Sequence, residues 1–248
     1  MMAAEYDPLT EEYFQSKQLP FRVYSEIPNH MDLLGDLRGL RVIDLACGEG
    51  FYARLIKKAG ADSVLGVDVS GEMIELARAK EASEPQGIQY AVCTATNLSQ
   101  RVEEKFDLAS TAFLFNCAKD RFELGEMFRE IASCLNQGGR LCATVGDLGH
   151  RPGVDYSPYG MRTEIPKDLE EGDPYQITFL LPDGHFTITD FNHRLSTYQQ
   201  LCEEAGLVFE GWQPCTVTPS GIGKYGEDFW TAWIDSPCIW RFTATKNA

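Results

Sequence analysis

The stretch VIDLACGEGFYARLIKKAG, Val42 to Gly60, decides the fold. An apolar run ends in Asp44, a loop of small residues follows, and a helical pattern then runs to Gly60. Gly48 and Gly50 let the backbone turn sharply and approach a ligand, because glycine carries no Cβ. The stretch therefore predicts a buried strand, a ligand-binding turn and a helix, in that order.

Composition and charge limit the classes of protein that the chain can represent. Its 248 residues are 44% hydrophobic and 24% charged, which is typical of a soluble globular protein. The formal net charge of -15 disfavours nucleic-acid and anionic-membrane partners. No apolar run approaches the roughly 20 residues of a membrane span, and the N-terminus lacks a signal-peptide layout. We therefore expect a cytoplasmic protein.

The eight cysteines are scattered along the chain and form no CxxC pair. Several lie in apolar runs, such as Cys93 in YAVCTA and Cys142 in RLCATV. This distribution is typical of buried, reduced cysteines that act as small hydrophobic residues. Because no paired spacing with histidines is present, we predict no metal site.

Strand and helix patterns alternate up to about Gly146. After the first strand and helix, strands are predicted in SVLGVDV, IQYAVCTA, FDLASTAFLF and RLCATVGD, with helices in GEMIELARAKE and RFELGEMFREIASCLN. Short helices are predicted earlier, over 8–18 and 28–36. An alternation of this length predicts an α/β fold with a parallel sheet and helices on both faces.

The pattern changes after Gly146. Residues 149–173 are rich in Gly, Pro and Tyr and show no clear period, which indicates an insertion near a site. YQITFLLPDGHFTITDF then predicts two strands joined by a turn at residues 182–184. The remaining patterns predict a helix in TYQQLCEEAG, a strand in LVFEGWQP, a short helix in EDFWTAWIDS and a last strand in IWRFTATK.

The glycine loop is compatible with either of two adenosine cofactors. Gly48-x-Gly50-x-x-Ala53 matches the dinucleotide fingerprint and thus permits NAD. Asp44 favours S-adenosylmethionine instead, because a carboxylate repels a pyrophosphate but attracts an ammonium group. Asp68, at the end of the next strand, can accept hydrogen bonds from the ribose hydroxyls of either cofactor.

The motifs DLACGEG, GVDVS-GEMIELAR, FDLASTAFLF and LNQGGRL, in this order, resemble those of class I S-adenosylmethionine-dependent methyltransferases. More narrowly, the GEGFY turn, LPDGHFTITDF and TPSGIGKYGEDFW are similar to the toxoflavin-pathway N-methyltransferase group. The resemblance implies a doubly wound, mainly parallel, Rossmann-like sheet of seven strands with one antiparallel strand. It also implies an N-terminal helical lid over 1–38 and a methyltransferase domain over 39–248, with 149–173 on the substrate side.

The resemblance also implies which residues bind S-adenosylmethionine and its product S-adenosylhomocysteine. Each is expected to contact the methionine end, the ribose, the adenine or the lid side of the cofactor; these residues are Tyr13, Tyr24, Asp44, Ala46, Gly48, Gly50, Asp68, Val69, Met73, Thr94, Ala95 and Phe113. Met73 suits a core position equally well. Thr94 stands where many relatives carry an aspartate.

Methyl transfer from a sulfonium requires alignment of the accepting atom more than a catalytic group. A base is needed only when that atom carries a proton, and the weak candidates for a catalytic residue are His185, His150 and Tyr159. Arg22 in the lid segment and Arg162 in the insertion could face an anionic acceptor, but both are interpreted as solvated surface arginines.

Aromatic residues concentrate in the N-terminal and late segments, and this concentration predicts a flat apolar or heteroaromatic small molecule as acceptor. The hypothesis is methyl transfer to a heterocycle nitrogen in specialised metabolism, with an oxygen as the second choice. An NAD-dependent oxidoreductase and a non-catalytic S-adenosylmethionine binder remain alternatives. The oligomeric state is not predicted.

Overall fold

The computed structural model describes residues 10–247. In this part of the chain the strands are β1 (Arg41–Leu45), β2 (Ser63–Asp68), β3 (Gln89–Val92), β4 (Phe106–Ala112), β5 (Leu135–Gly146), β6 (Met161–Glu164), β7 (Pro174–Leu181), β8 (Gly184–Phe191), β9 (Leu207–Pro214) and β10 (Ile239–Lys246). The α-helices are α1 (Thr10–Ser16), α2 (Ile27–Leu34), α3 (Phe51–Lys58), α4 (Gly71–Ser83), α5 (Arg121–Cys134), α6 (Leu195–Glu204), α7 (Pro219–Tyr225) and α8 (Thr231–Asp235).

The main sheet has seven strands in the order β3-β2-β1-β4-β5-β10-β9. Strands β1 to β5 pair in parallel, whereas β10 is antiparallel to both β5 and β9. This is the doubly wound, mainly parallel sheet with one antiparallel strand that the sequence predicts. The strand order reverses direction between β1 and β4, and ligands bind at the carboxyl ends of strands at such a switch point.

Local sequence explains the first units of this sheet. Val42 to Leu45 are buried without alternation, as in a parallel strand covered on both faces. Ser70 caps α4 by accepting a hydrogen bond from the backbone N–H of Met73, and Asp120 caps α5 in the same way. These caps fix where each helix begins after its strand.

A second sheet of three antiparallel strands, β6-β7-β8, lies within the segment that follows β5. The predicted pair of strands over residues 175–191 is confirmed as the hairpin of β7 and β8. The sequence analysis missed β6, which lies inside the predicted insertion. Its four residues are too few to show a period, and they form a strand only by pairing with β7.

Several helix and strand ends differ from the predicted ones. β5 begins at Leu135, five residues before the predicted start at Arg140, because Leu135 pairs with Phe106 ahead of a register shift. The first helix was predicted to run to residue 18, but α1 ends at Ser16. The start predicted at residue 8 lies outside the described residues.

A π-helical turn, Arg22–Glu26, leads directly into α2. It buries Arg22, Ser25 and Glu26, and α2 buries Asn29, His30 and Leu34. The N-terminal segment thus directs several polar side chains toward the interior of the protein. No helix within residues 10–247 combines the length and the apolar composition that crossing a bilayer requires.

Candidate active site

A cleft with an accessible volume of about 200 Å³ opens at the carboxyl ends of β1, β2 and β4. It brings together most of the residues that the sequence assigns to the cofactor, which are Tyr13, Ala46, Gly48, Asp68, Val69, Met73, Thr94, Ala95 and Phe113. Residues that the sequence analysis did not assign also line it, among them Cys117, Lys119, Glu123 and Met127. This clustering follows from topology, because parallel strands end at one edge of the sheet.

The backbone at the cleft is in an unusual conformation. Gly48 has a φ of 54° and Gly50 one of 83°, as glycine permits. Within residues 10–247, Ala46 (φ 54°) and Phe113 (φ 66°) are the non-glycine residues with positive φ. Both line the cleft. Such strain costs about 1–3 kcal/mol at a residue and is concentrated at functional sites.

Asp68 holds the glycine loop against the end of β2. Its Oδ2 accepts a hydrogen bond from the backbone N–H of Gly48 at 2.8 Å, and its Oδ1 accepts one from Ser70 at 2.9 Å. Through these two bonds the carboxylate of Asp68 fixes the glycine loop at the edge of the cleft, which Asp68 itself lines.

Asp44 lies beneath the loop and is only 2% exposed. Its Oδ1 accepts a hydrogen bond from the hydroxyl of Ser110 at 3.2 Å, whereas Oδ2 is buried with no hydrogen-bond partner. Burial raises the pKa of Asp44 to about 7, against the opposing effects of the Ser110 hydrogen bond and the charge of Lys17. An ammonium group close to this carboxylate would stabilise its ionised form.

His30 supports Asp44 from the sheet side. The imidazole is fully buried, with Nδ1 2.8 Å from the hydroxyl of Thr144 and Nε2 3.0 Å from that of Ser110. Burial lowers the pKa of His30 to about 4, so the ring is neutral near pH 7. A neutral imidazole holds Ser110 in place without competing for the charge of Asp44.

Lys17 is a charged group at the site that the sequence analysis missed. It is 5% exposed, its Nζ donates to the hydroxyl of Tyr13 at 3.4 Å, and it lies 5.1 Å from the ring centroid of Phe51. With Ala46 and Cys47 it lines a small cavity of about 10 Å³ behind the loop. The available signal was its spacing of four residues from Tyr13, which places both on one face of the helix predicted over 8–18.

Three residues that the sequence assigns to the cofactor do not line the cleft, and Asp44, buried beneath the loop, is the first of them. The ring of Tyr24 packs edge-on against Tyr225, with centroids 5.7 Å apart, and its hydroxyl accepts a hydrogen bond from Lys224. Gly50 directly precedes α3, and a Cβ there would clash with the hydroxyl of Tyr90. Packing therefore explains the glycine at this position.

The three candidates for a catalytic residue are also dispersed. His185 is exposed on β8, and the Nδ1 of His150 lies 2.6 Å from Oδ1 of Asp147. Tyr159 is buried and stacks on Trp230 with centroids 5.1 Å apart. Among the described residues that line the cleft and the cavity next to it, none of the three occurs.

That second cavity, of about 40 Å³, shares Tyr13 and Phe113 with the cleft and has otherwise mainly apolar walls. Arg22 lines it and is 2% exposed, so its interpretation as a solvated arginine was wrong. Its Nη1 donates to Oε2 of Glu26 at 2.9 Å, and Glu26 also accepts a hydrogen bond from the hydroxyl of Tyr52. Arg162, by contrast, is exposed on β6 as expected.

Comparisons with known proteins agree with this geometry. Residues 42–139 match the family model described as Methyltransferase domain. A ubiquinone biosynthesis O-methyltransferase of Aeromonas salmonicida is 26% identical over 110 residues, which are 44% of this chain and 44% of that protein. The chain thus spans less than half of the length of this relative.

Two solved structures share the fold over most of the chain. An S-adenosylmethionine-dependent methyltransferase from Mesorhizobium loti has a TM-score of 0.65 at 19% identity, covering 93% of this chain and 100% of that one. A protein from Listeria monocytogenes, described as a putative enzyme of the same kind, has a TM-score of 0.66 at 17% identity, covering 90% and 97%. At these identities the structural match establishes the fold.

Proposed function

We propose that the protein transfers a methyl group from S-adenosylmethionine to a small-molecule acceptor, and the match of residues 42–139 to a methyltransferase-domain model supports this proposal. The acceptor in this proposal is flat and heteroaromatic, and a ring nitrogen receives the methyl group. The observation that carries the proposal is the unpartnered Oδ2 of Asp44 beneath a loop held by Asp68.

The residues at the cleft fit this cofactor group by group. Asp68 is placed to accept the ribose hydroxyls, and Val69, Met73 and Ala95 offer an apolar wall for the adenine. Asp44 complements an ammonium group and Lys17 a carboxylate, so the two ends of an amino-acid moiety have opposite charges to meet. S-adenosylmethionine supplies an electrophilic methyl group on a sulfonium when it is bound.

The contribution of this chain to the reaction is alignment. Tyr13 and Phe113 line both the cleft and the second cavity, so they stand between cofactor and acceptor. Their rings can hold a flat acceptor in line with the methyl group and exclude water. Because the histidine candidates lie elsewhere, we propose that the accepting nitrogen carries no proton and attacks the methyl group with its lone pair.

Oxygen methylation is the second candidate, and the names of the relatives favour it. Several curated relatives are ubiquinone biosynthesis O-methyltransferases, including the human mitochondrial one at 32% identity over 84 residues. A phenolic oxygen would have to lose its proton before or during transfer. The site of methylation in the product, determined by NMR, distinguishes oxygen from nitrogen.

The N-terminal segment is part of this proposal. We propose that residues up to 38 act as a lid, since Tyr13 on α1 lines both cavities. A cytoplasmic location is also proposed. It is supported by seven buried cysteines outside any disulfide, as expected in a reducing compartment.

Calorimetric titration with S-adenosylhomocysteine and, separately, with NAD tests the cofactor. We expect micromolar binding of the first and none of the second. Binding of NAD alone would overturn the proposal in favour of an oxidoreductase. A heteroaromatic panel with labelled S-adenosylmethionine then tests turnover. Binding without transfer to any acceptor would favour the non-catalytic alternative.

A further inference from the structure

The lining of the second cavity includes a charged side chain, Arg22, which has no part in the proposed binding of S-adenosylmethionine. Its lining is mostly apolar, from residues such as Ile177, Phe179 and Ile188, and it adjoins the cleft through Tyr13 and Phe113. Two buried charged residues interrupt these walls, Arg22 from the N-terminal segment and Asp190 from β8, exposed by 2% and 4%. A charged residue in an apolar wall has a cost in free energy unless its charge is balanced and its hydrogen-bonding groups have partners.

Arg22 has a buried N–H group without a hydrogen-bond acceptor. One guanidinium nitrogen, Nη1, donates to Glu26, but Nε is buried and has no hydrogen-bond partner. The guanidinium carbon lies 5.0 Å from the ring centroid of Phe21, 5.4 Å from that of Phe179 and 5.6 Å from that of Phe113. These aromatic faces stabilise the positive charge, but they offer no lone pair to the N–H of Nε.

The local backbone fixes the position of this donor. Arg22 begins the π-helical turn Arg22–Glu26, in which the first and the last side chains form a buried pair. π-Helical turns occur often at functional sites. This turn places the buried guanidinium of Arg22 in the wall of the cavity.

Charge decides what kind of group suits this donor. Glu26 already balances Arg22, and Asp190 adds a second carboxyl group to the same surroundings. An anionic ligand would be desolvated among two carboxyl groups and one guanidinium, which is unfavourable. A neutral acceptor atom, by contrast, can take the hydrogen bond of Nε without adding charge.

We propose that this cavity, continued by the adjoining part of the cleft, is the acceptor subsite and that Arg22 selects a neutral, planar acceptor by donating its Nε hydrogen bond to a carbonyl oxygen or to a ring nitrogen other than the one that is methylated. The inference rests on the proposed function. It goes further by assigning the residue that recognises the acceptor and by excluding benzoate-like anions as preferred acceptors.

Three planar probes test the inference. They are 2-pyridone (neutral, with a carbonyl), benzene (no acceptor atom) and benzoate (an anion). Each is titrated by saturation-transfer NMR, with and without S-adenosylhomocysteine. In the native protein we expect 2-pyridone to bind about tenfold more tightly than the other two, as one good hydrogen bond predicts. Equal binding of 2-pyridone and benzene, tighter binding of benzoate, or binding of none of them would overturn the inference.

Arg22→Lys is the decisive variant, because it keeps a cation beside Glu26 but lacks Nε. We expect it to lose about tenfold in affinity for 2-pyridone while its affinity for benzene stays the same. If this variant fails to fold, Arg22→Met combined with Glu26→Gln removes both buried charges and serves the same purpose. Arg162→Lys, on exposed β6, is the matched control and should change nothing. Unchanged 2-pyridone binding in the Arg22 variants would overturn the inference.

The same titrations separate this inference from the proposed function. If S-adenosylhomocysteine fails to bind the native protein while 2-pyridone binding still depends on Arg22, the methyltransferase proposal fails and the subsite stands. If S-adenosylhomocysteine binds normally and the Arg22 variants bind 2-pyridone with unchanged affinity, the subsite assignment alone fails.

Discussion

The two cavities that meet at Tyr13 and Phe113 are built in different ways. The cofactor cleft is formed mainly by the ends of β1, β2 and β4 and by a loop of small residues, with backbone N–H groups fixed by Asp68. The second cavity is formed by side chains from the N-terminal segment and from both sheets, and its wall includes Arg22 of the buried Arg22–Glu26 pair. Changes in the second region should therefore affect stability first, and changes in the first region should affect binding first.

The largest expected effect is on stability and concerns the second cavity. Arg22→Met leaves Glu26 buried without its cation, so we expect the free energy of unfolding in urea to fall by about 3–5 kcal/mol. Adding Glu26→Gln should recover most of this loss, because no unpaired charge then remains. A loss below about 1 kcal/mol in Arg22→Met, as for an exposed pair, would break the comparison.

The next effect is on binding, at the cofactor cleft. Asp68→Ala removes the carboxylate that shapes the glycine loop and that we propose to accept the ribose hydroxyls, so we expect S-adenosylhomocysteine affinity to fall about 100-fold, or roughly 3 kcal/mol. Asp36→Ala is the matched control, since Asp36 is exposed and pairs with Arg38. Unchanged calorimetric affinity in Asp68→Ala would show that the cleft is not organised as described.

The pH dependence of binding sharpens the role of Asp44. Its pKa is raised by burial to about 7, so the ligand-free protein carries a largely neutral carboxyl group at pH 6 and a largely ionised one at pH 8. An ammonium group prefers the ionised form, so S-adenosylhomocysteine affinity should rise about tenfold from pH 6 to pH 8. Calorimetry at both values tests this. Asp44→Asn should remove the increase, and its persistence there would assign it to another group.

The smallest effect concerns backbone strain in the glycine loop. Ala46 has a φ of 54°, so Ala46→Gly relieves a left-handed conformation that costs roughly 1–2 kcal/mol. Glycine has more conformational freedom in the unfolded chain, and this lowers the free energy of unfolding by about 0.4–1 kcal/mol. We therefore expect stability in urea to stay equal or to rise by up to about 1 kcal/mol. Ala79→Gly, at an exposed position in α4, should instead lose about 1 kcal/mol. Equal losses in both variants would contradict the strain at Ala46.

The contrast between the cavities also separates what could be predicted from what could not. The loop after β1, the carboxylate ending β2 and the turn after β4 were found from the sequence, because each lies at a strand end marked by local pattern. Tyr24 was assigned to the same site by its place before β1, yet it packs against Tyr225. Residues outside the alternating pattern carry no signal of where their side chains lie.

The amino-acid sequence by itself determined the order of strands and helices up to β5, the glycine loop and the position of Asp68. Periodicity, capping and glycine conformation act within a few residues, so a linear pattern can specify them. Only the tertiary structure decided that Arg22 is buried, that Lys17 lies behind the loop and that Arg22 and Asp190 line one cavity. These outcomes depend on distant segments, since burying a charge is tolerated only where partners from elsewhere in the chain meet it.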